Sequence, residues 1–215
     1  MNLILSEIVT VLHNEYPKGY GSAFIGQNSF PEVRNEISVE HFRNQINKNL
    51  PILFYEFYEW ALDVNFPVVD ITTLTHIEEH QNKMETLHAI LDETKMWNEQ
   101  IHEEWNSGFV ALCRWDSAYQ MVIDTDGYIS NQKGSIAYWD FKGGSGYYLE
   151  YANFETFLKT KLELLKQNLY FPPPISNSNI DESYKEYEDF CYGKTSEKIR
   201  VIKERVNGKT NFISF

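Results

Sequence analysis

Residues 109–151 read FVALCRWDSAYQMVIDTDGYISNQKGSIAYWDFKGGSGYYLEY, and the punctuation of this stretch decides the fold. Four short aromatic and aliphatic runs, Phe109–Cys113, Ala118–Ile123, Ser135–Phe141 and Tyr147–Tyr151, are separated by turn signals at Asp116-Ser117, Asp126-Gly127 and Gly143-Gly144-Ser145-Gly146. Runs of this kind bounded by Gly, Asp and Ser read as strands. Their connections are too short for helical crossovers, so neighbouring strands are expected to pair antiparallel. In the third run, Ala137, Trp139 and Phe141 alternate with Ile136, Tyr138 and Asp140. One face is then more apolar, which predicts a sheet covered on one side.

Helical patterns flank the sheet on both sides. Asn153 is a candidate cap for a helix over Phe154–Gln167, whose stripe of Phe154, Phe157, Leu158, Leu162 and Leu165 needs a cover that the sheet supplies. Upstream, Met1–Tyr16 places Leu5, Ile8, Val9 and Leu12 on one face, and Val39–Asn49 follows Ser38 as N-cap. Leu50-Pro51 opens a helix over Ile52–Asp63, because proline suits the first helical turn. Leu53, Phe57, Trp60, Ala61 and Val64 are its expected buried face. Pro67 closes that region, Val68–Leu74 is a strand candidate, and two helices are expected over His76–Leu91 and Thr94–Trp105. Beyond Pro172-Pro173-Pro174, an acidic helix over Asp181–Tyr192 precedes a basic one over Thr195–Val206 stopped at Asn207-Gly208, where a β-hairpin is the competing reading. The expectation is one α+β domain over residues 1–171 and a C-terminal appendage over 175–215.

Charge narrows the function. The net charge is −12 with a pI near 4.9. Phosphate neutralisation needs clustered Lys and Arg, and the sequence offers one such cluster, near its end, so a nucleic-acid partner is not expected. An acidic surface attracts basic proteins instead. Aromatics at 15% exclude a wholly disordered chain. Two cysteines, Cys113 and Cys191, form no CxxC pair and suit a reducing compartment. No basic n-region opens Met1–Thr10, and no apolar run approaches the roughly 20 residues that span a bilayer. A cytoplasmic protein without membrane partners is expected.

The order of elements resembles the Smi/Knr (SUKH) superfamily. The stretch Leu50-Pro51 running into Phe54-Tyr55-Glu56-Phe57-Tyr58-Glu59-Trp60-Ala61 is similar to that family's opening helix. Met121-Val122-Ile123-Asp124 with Gly127, then Ile136-Ala137-Tyr138-Trp139-Asp140, look like its strands, and Asn153-Phe154-Glu155-Thr156-Phe157-Leu158 looks like its closing helix. The resemblance spans about residues 37–167 and departs from the family at Asp63-Val64-Asn65 and at Asp116-Ser117-Ala118. It implies an α+β, SUKH-like antiparallel sheet of about four to six strands flanked by N-terminal and C-terminal helices, without an active site. It also implies a protein partner: bacterial members resemble immunity proteins against polymorphic toxins, often nucleases, and fungal members resemble regulators of cell-wall synthesis.

The residues themselves point to binding rather than to catalysis. Between His76 and Trp105 stand eight acidic residues against two lysines. Within that span Glu78, Glu79, Trp97, Glu99, Glu103, Glu104 and Trp105 form a candidate partner-binding set, aromatic anchors ringed by carboxylates for a basic toxin domain. The plainer reading packs both tryptophans in the core and leaves the glutamates as a solvated helix face. His76 and His80, with His88 further on, have zinc-compatible helical spacing, but Ile77 stands where a zincin needs Glu, and His102-Glu103 meets Asn106 where the second His belongs. A metal-dependent hydrolase using His76 and His80 is the enzymatic alternative. Asp124-Thr125-Asp126-Gly127 begins like a calcium loop, yet its twelfth position is Ser135, so a turn is preferred. Gly143–Gly146 lacks the Lys and Ser/Thr of a phosphate loop. No cofactor and no catalytic residue is expected.

Overall fold

The computed structural model describes residues 2–15, 37–63, 87–100, 103–114, 119–142, 146–167, 169, 182, 185, 188–189 and 193–208. The Val68–Leu74 strand candidate, the first part of the His76–Leu91 helix and most of Asp181–Tyr192 lie outside these residues. Among the described residues are six helices, α1 (Leu3–Glu15), α2 (Val39–Ile46), α3 (Ile52–Asp63), α4 (Leu87–Glu99), α5 (Phe154–Lys166) and α6 (Lys194–Asn207). Four strands, β1 (Phe109–Arg114), β2 (Tyr119–Asp124), β3 (Ser135–Asp140) and β4 (Tyr147–Tyr151), form one antiparallel sheet in sequential order. The architecture is α+β.

Both faces of the sheet are covered, which corrects the expectation of one-sided packing. Val110, Leu112, Met121, Ile123, Ile136 and Tyr138 join the main core with the helices. Phe109, Ala111, Val122, Ala137, Trp139 and Tyr147 face the other way into a second cluster with Trp97 and Ile129. All six residues of β3 are buried. The alternation is present in the sequence, but both of its phases are apolar here, as in strands covered twice. A bulge in β4 refines the pattern. Ala137 pairs with Leu149 while Ile136 pairs with Tyr151, so Glu150 is the extra residue. That one-residue insertion turns Tyr151 to the helix side while Tyr147 stays on the other.

Local chemistry sets the helix ends. The Ser38 hydroxyl accepts from the His41 amide at 3.1 Å, and Asn47 closes α2 in the left-handed region. Asn153 and Thr156 form a reciprocal capping box on α5. Pro51 stands just ahead of α3 and accepts from the Phe54 amide at 3.0 Å. The buried face of α3 is Phe54, Tyr55, Phe57 and Tyr58, with Leu53 and Trp60 only partly buried. An aromatic-rich helix permits more than one stripe, and the ring contacts choose: Phe54 meets Phe42 at 5.9 Å, Tyr58 at 4.8 Å and Phe154 at 5.4 Å.

Helix α4 runs unbroken through Asp92 and Thr94 and ends at Glu99, so the expected break before Thr94 and the helix reaching Trp105 are both corrected. No Gly or Pro interrupts it, and Thr94 has a structural task. Its Oγ1 accepts the Ala111 amide of the edge strand β1 at 3.0 Å. An α-helix thus covers a sheet edge that would otherwise offer unpaired amides to another chain. Helix α6 continues to Asn207 and stops at Gly208 (φ 76°), so the hairpin reading of Asn207-Gly208 fails; Ile202 anchors the helix in the main core.

Candidate functional site

The second face of the sheet carries the densest aromatic cluster outside the main core. Trp139, fully buried on β3, is its hub: ring centroids lie 4.9 Å from Trp97, 5.3 Å from Trp105 and 5.5 Å from Phe141. Trp97 and Trp105 stack at 5.9 Å. Phe109 extends the cluster, meeting Trp105 at 5.5 Å, Tyr147 at 5.1 Å and Tyr128 at 5.9 Å. The outer members are accessible: Tyr128 is 53% exposed, and Met96, Trp105 and Phe141 are half-buried.

The segment after α4 places the carboxylates. Trp105 Nε1 donates to Asn98 Oδ1 at 3.0 Å, folding the segment back on the helix end. Glu104 reaches over the sheet. Its Oε2 accepts from Trp139 Nε1 at 3.3 Å, and its carbonyl accepts from the Tyr147 hydroxyl. Burial, with Tyr128, Glu104 and Asp124 nearby, pushes the Tyr147 phenol well above its ordinary value, so it remains a donor at neutral pH. Glu99, Glu103 and Asp126 are exposed, the first two near Trp97 and Trp105 in sequence and Asp126 against Gly108.

A second latch holds this segment to the β2–β3 turn. The buried Asp124 carboxylate accepts from the amides of Asp126 (3.2 Å), Gly127 (2.9 Å) and Ile129 (2.7 Å), which shapes the turn read in the sequence at Asp126-Gly127. Gly127 sits at φ 83°, where L side chains are strained. The Gly108 carbonyl accepts from both the amide and the hydroxyl of Thr125, at 3.0 and 2.6 Å. A side chain on Gly108 would overlap Asp126 as far back as its Cβ. Gly108→Ala is therefore expected to cost about 1–3 kcal/mol through overpacking. Urea unfolding checks this; a midpoint equal to that of the parent chain would show that the latch yields without cost.

Of the residues expected to bind a partner, the structure brings Trp97, Glu104 and Trp105 into one cluster and separates their roles. Trp97 is buried, 6% exposed, and supports the cluster from beneath. Trp105 is at its rim, Glu99 and Glu103 are exposed, and Glu104 is engaged internally. Glu78 and Glu79 lie outside the described residues, as do His76, His80 and His102. His88 is exposed and lies 3.4 Å from Asp92. Among the described residues no group of three His, Cys, Asp or Glu side chains is placed to hold a metal ion, and no helix is long and apolar enough to cross a membrane. Sequence reasoning missed Phe109, Tyr128, Tyr147 and Asp126. The Asp-Gly turn that positions Tyr128 was visible, but the crossing of residues 103–108 toward β4 leaves no periodic signal.

Comparison with protein families matches residues 35–160 to the SMI1 / KNR4 family (SUKH-1). Comparison with curated proteins and with solved structures returned no match.

Proposed function

Because the chain belongs to the SMI1 / KNR4 family (SUKH-1), we propose that it is a non-enzymatic protein-binding domain, an immunity protein that neutralises a basic, nuclease-like toxin by covering the toxin's substrate surface. The observation that carries this reading is the aromatic cluster on the second sheet face, with Trp105, Phe141 and Tyr128 accessible and the exposed Glu99, Glu103 and Asp126 near its members in sequence. Interface cores favour such aromatic anchors, and a rim of one charge sign orients a partner of the other. The mechanism is occlusion: the rings dock while the carboxylates occupy the cationic groups that would otherwise hold substrate. The net charge of −12 adds long-range attraction to a cationic surface.

The test is co-expression with the product of the neighbouring gene. A stoichiometric complex, together with relief of that product's growth arrest, is the expected result. An intact, toxic product that forms no complex and is not relieved would overturn the immunity reading.

A further inference from the structure

Helix α6 lies outside residues 35–160 that match the family, and it is held differently from its counterpart α1. Both pack on α5. Helix α1 buries Leu5 and Ile8 almost completely, at 1% and 0% exposure. In α6 only Ile202 is buried, flanked by partly buried Ile199 and Val206. Charge supplies the remaining contacts. Lys203 pairs with Glu150 at the β4 bulge and stands 5.2 Å from the Tyr151 ring centroid. Arg205 meets Glu163 of α5 at 3.0 Å; Glu163 also lies 4.0 Å from Lys166, which holds Glu7 of α1 at 2.5 Å. The Arg205 and Lys166 links are exposed, so they are weak and salt-screened.

The helix also carries local support of its own. Arg200 bridges Glu197 and Glu204 along its outer side at i,i+3 and i,i+4 spacing, which supports an isolated helix. Asp189 caps its first turn, accepting from the Thr195 hydroxyl at 2.8 Å and the Lys194 amide at 3.2 Å. A basic helix therefore rests on an acidic seat through buried Ile202, partly buried Ile199 and Val206, and the largely buried Lys203–Glu150 pair.

We propose that α6 is a reversible strap: it occupies, in cis, a docking surface on β4 and α5 that suits a basic amphipathic helix, and a partner helix of that chemistry displaces it. The pattern recognised is apolar at positions i, i+3 and i+7, as in Ile199, Ile202 and Val206, with cations at i+4 and i+6, as in Lys203 and Arg205. Glu150 and Glu163 read the cations. This seat belongs to the helix-covered side of the sheet, so the inference does not depend on the aromatic face.

The test uses the whole 215-residue chain and a fluorescent peptide of residues 188–208. Ile202→Asp with Arg205→Glu loosens the strap without altering its seat. An occupied seat lowers apparent affinity in proportion to the fraction of open molecules, so the loosened chain is expected to bind peptide about tenfold or more tightly than the parent. Adding Glu150→Lys and Glu163→Lys to the loosened chain is expected to abolish that gain. Hydrogen exchange should show α6 amides released while α4 and α5 keep parental protection. Loss of protection across the whole domain would make α6 an integral part of the fold and overturn the strap. A released α6 with no gain in peptide binding would overturn the docking surface.

Discussion

Trp139→Ala is expected to destabilise the fold by about 3–5 kcal/mol, the usual cost of emptying a large aromatic site. The indole has no exposed surface, and its neighbours Trp97, Trp105 and Phe141 come from α4, the segment after it and the turn after β3. No single neighbour can collapse into the space without leaving its own packing. The substitution also removes the indole N–H that Glu104 accepts. Domains of this kind are stable by only about 5–15 kcal/mol, so a loss of this size is a large share of the total. Urea unfolding followed by far-ultraviolet circular dichroism reads it. Trp139→Phe, which keeps a ring and loses the N–H, is expected to fall between the two. Parental stability in the alanine variant would mean that the second face is not a packed layer.

Reversing the exposed charges has a different signature. Glu99→Lys, Glu103→Lys and Asp126→Lys together alter exposed positions. The changes at Glu99 and Glu103 should each move stability by no more than about 0.5 kcal/mol, and the change at Asp126, which packs on Gly108, by about 1 kcal/mol. The association rate with a basic partner is expected to fall by about tenfold or more at low salt, because the reversals halve the net charge of −12 and weaken the steering field. Stopped-flow measurements separate the two effects. The parent chain's association should slow steeply as salt rises, while the reversed chain should respond less steeply. A salt-insensitive parental rate would contradict steering, whatever the affinity.

The sheet was legible because its signals are local. Asp126-Gly127 and the glycines before Tyr147 mark where strands stop, and strands this close have little choice but to pair antiparallel. Asn153 and Ser38 announced their helices through caps that need only neighbouring residues. What local patterns withheld is which layer covers what. Ile136 and Ala137 are both apolar, so alternation in β3 could not reveal two covered faces. The bulge at Glu150 reverses the facing of Tyr151, and nothing in YYLEY marks it. On α3 the expected stripe held at Phe57, with Leu53 and Trp60 only partly buried, and missed Phe54, Tyr55 and Tyr58, whose rings take the centre of the same core.

The candidate site was legible in part for the same reason. Trp97, Glu104 and Trp105 are close in sequence and remain close in space through Trp139. Their partners Trp139, Tyr147 and Tyr128 come from later strands and turns, so the cluster exists only after the sheet forms. Glu104 shows the difference most clearly. In the sequence it is one more acidic residue of a run, whereas in the fold it ties Trp139 and Tyr147 to the segment after α4.

Hydrogen exchange on the chain bound to its partner tests the binding face most directly. The account predicts new protection in residues 103–109, in the turn at 126–129 and around Phe141. Protection confined to α2 and α3, with those three stretches exchanging as in the free chain, would contradict it.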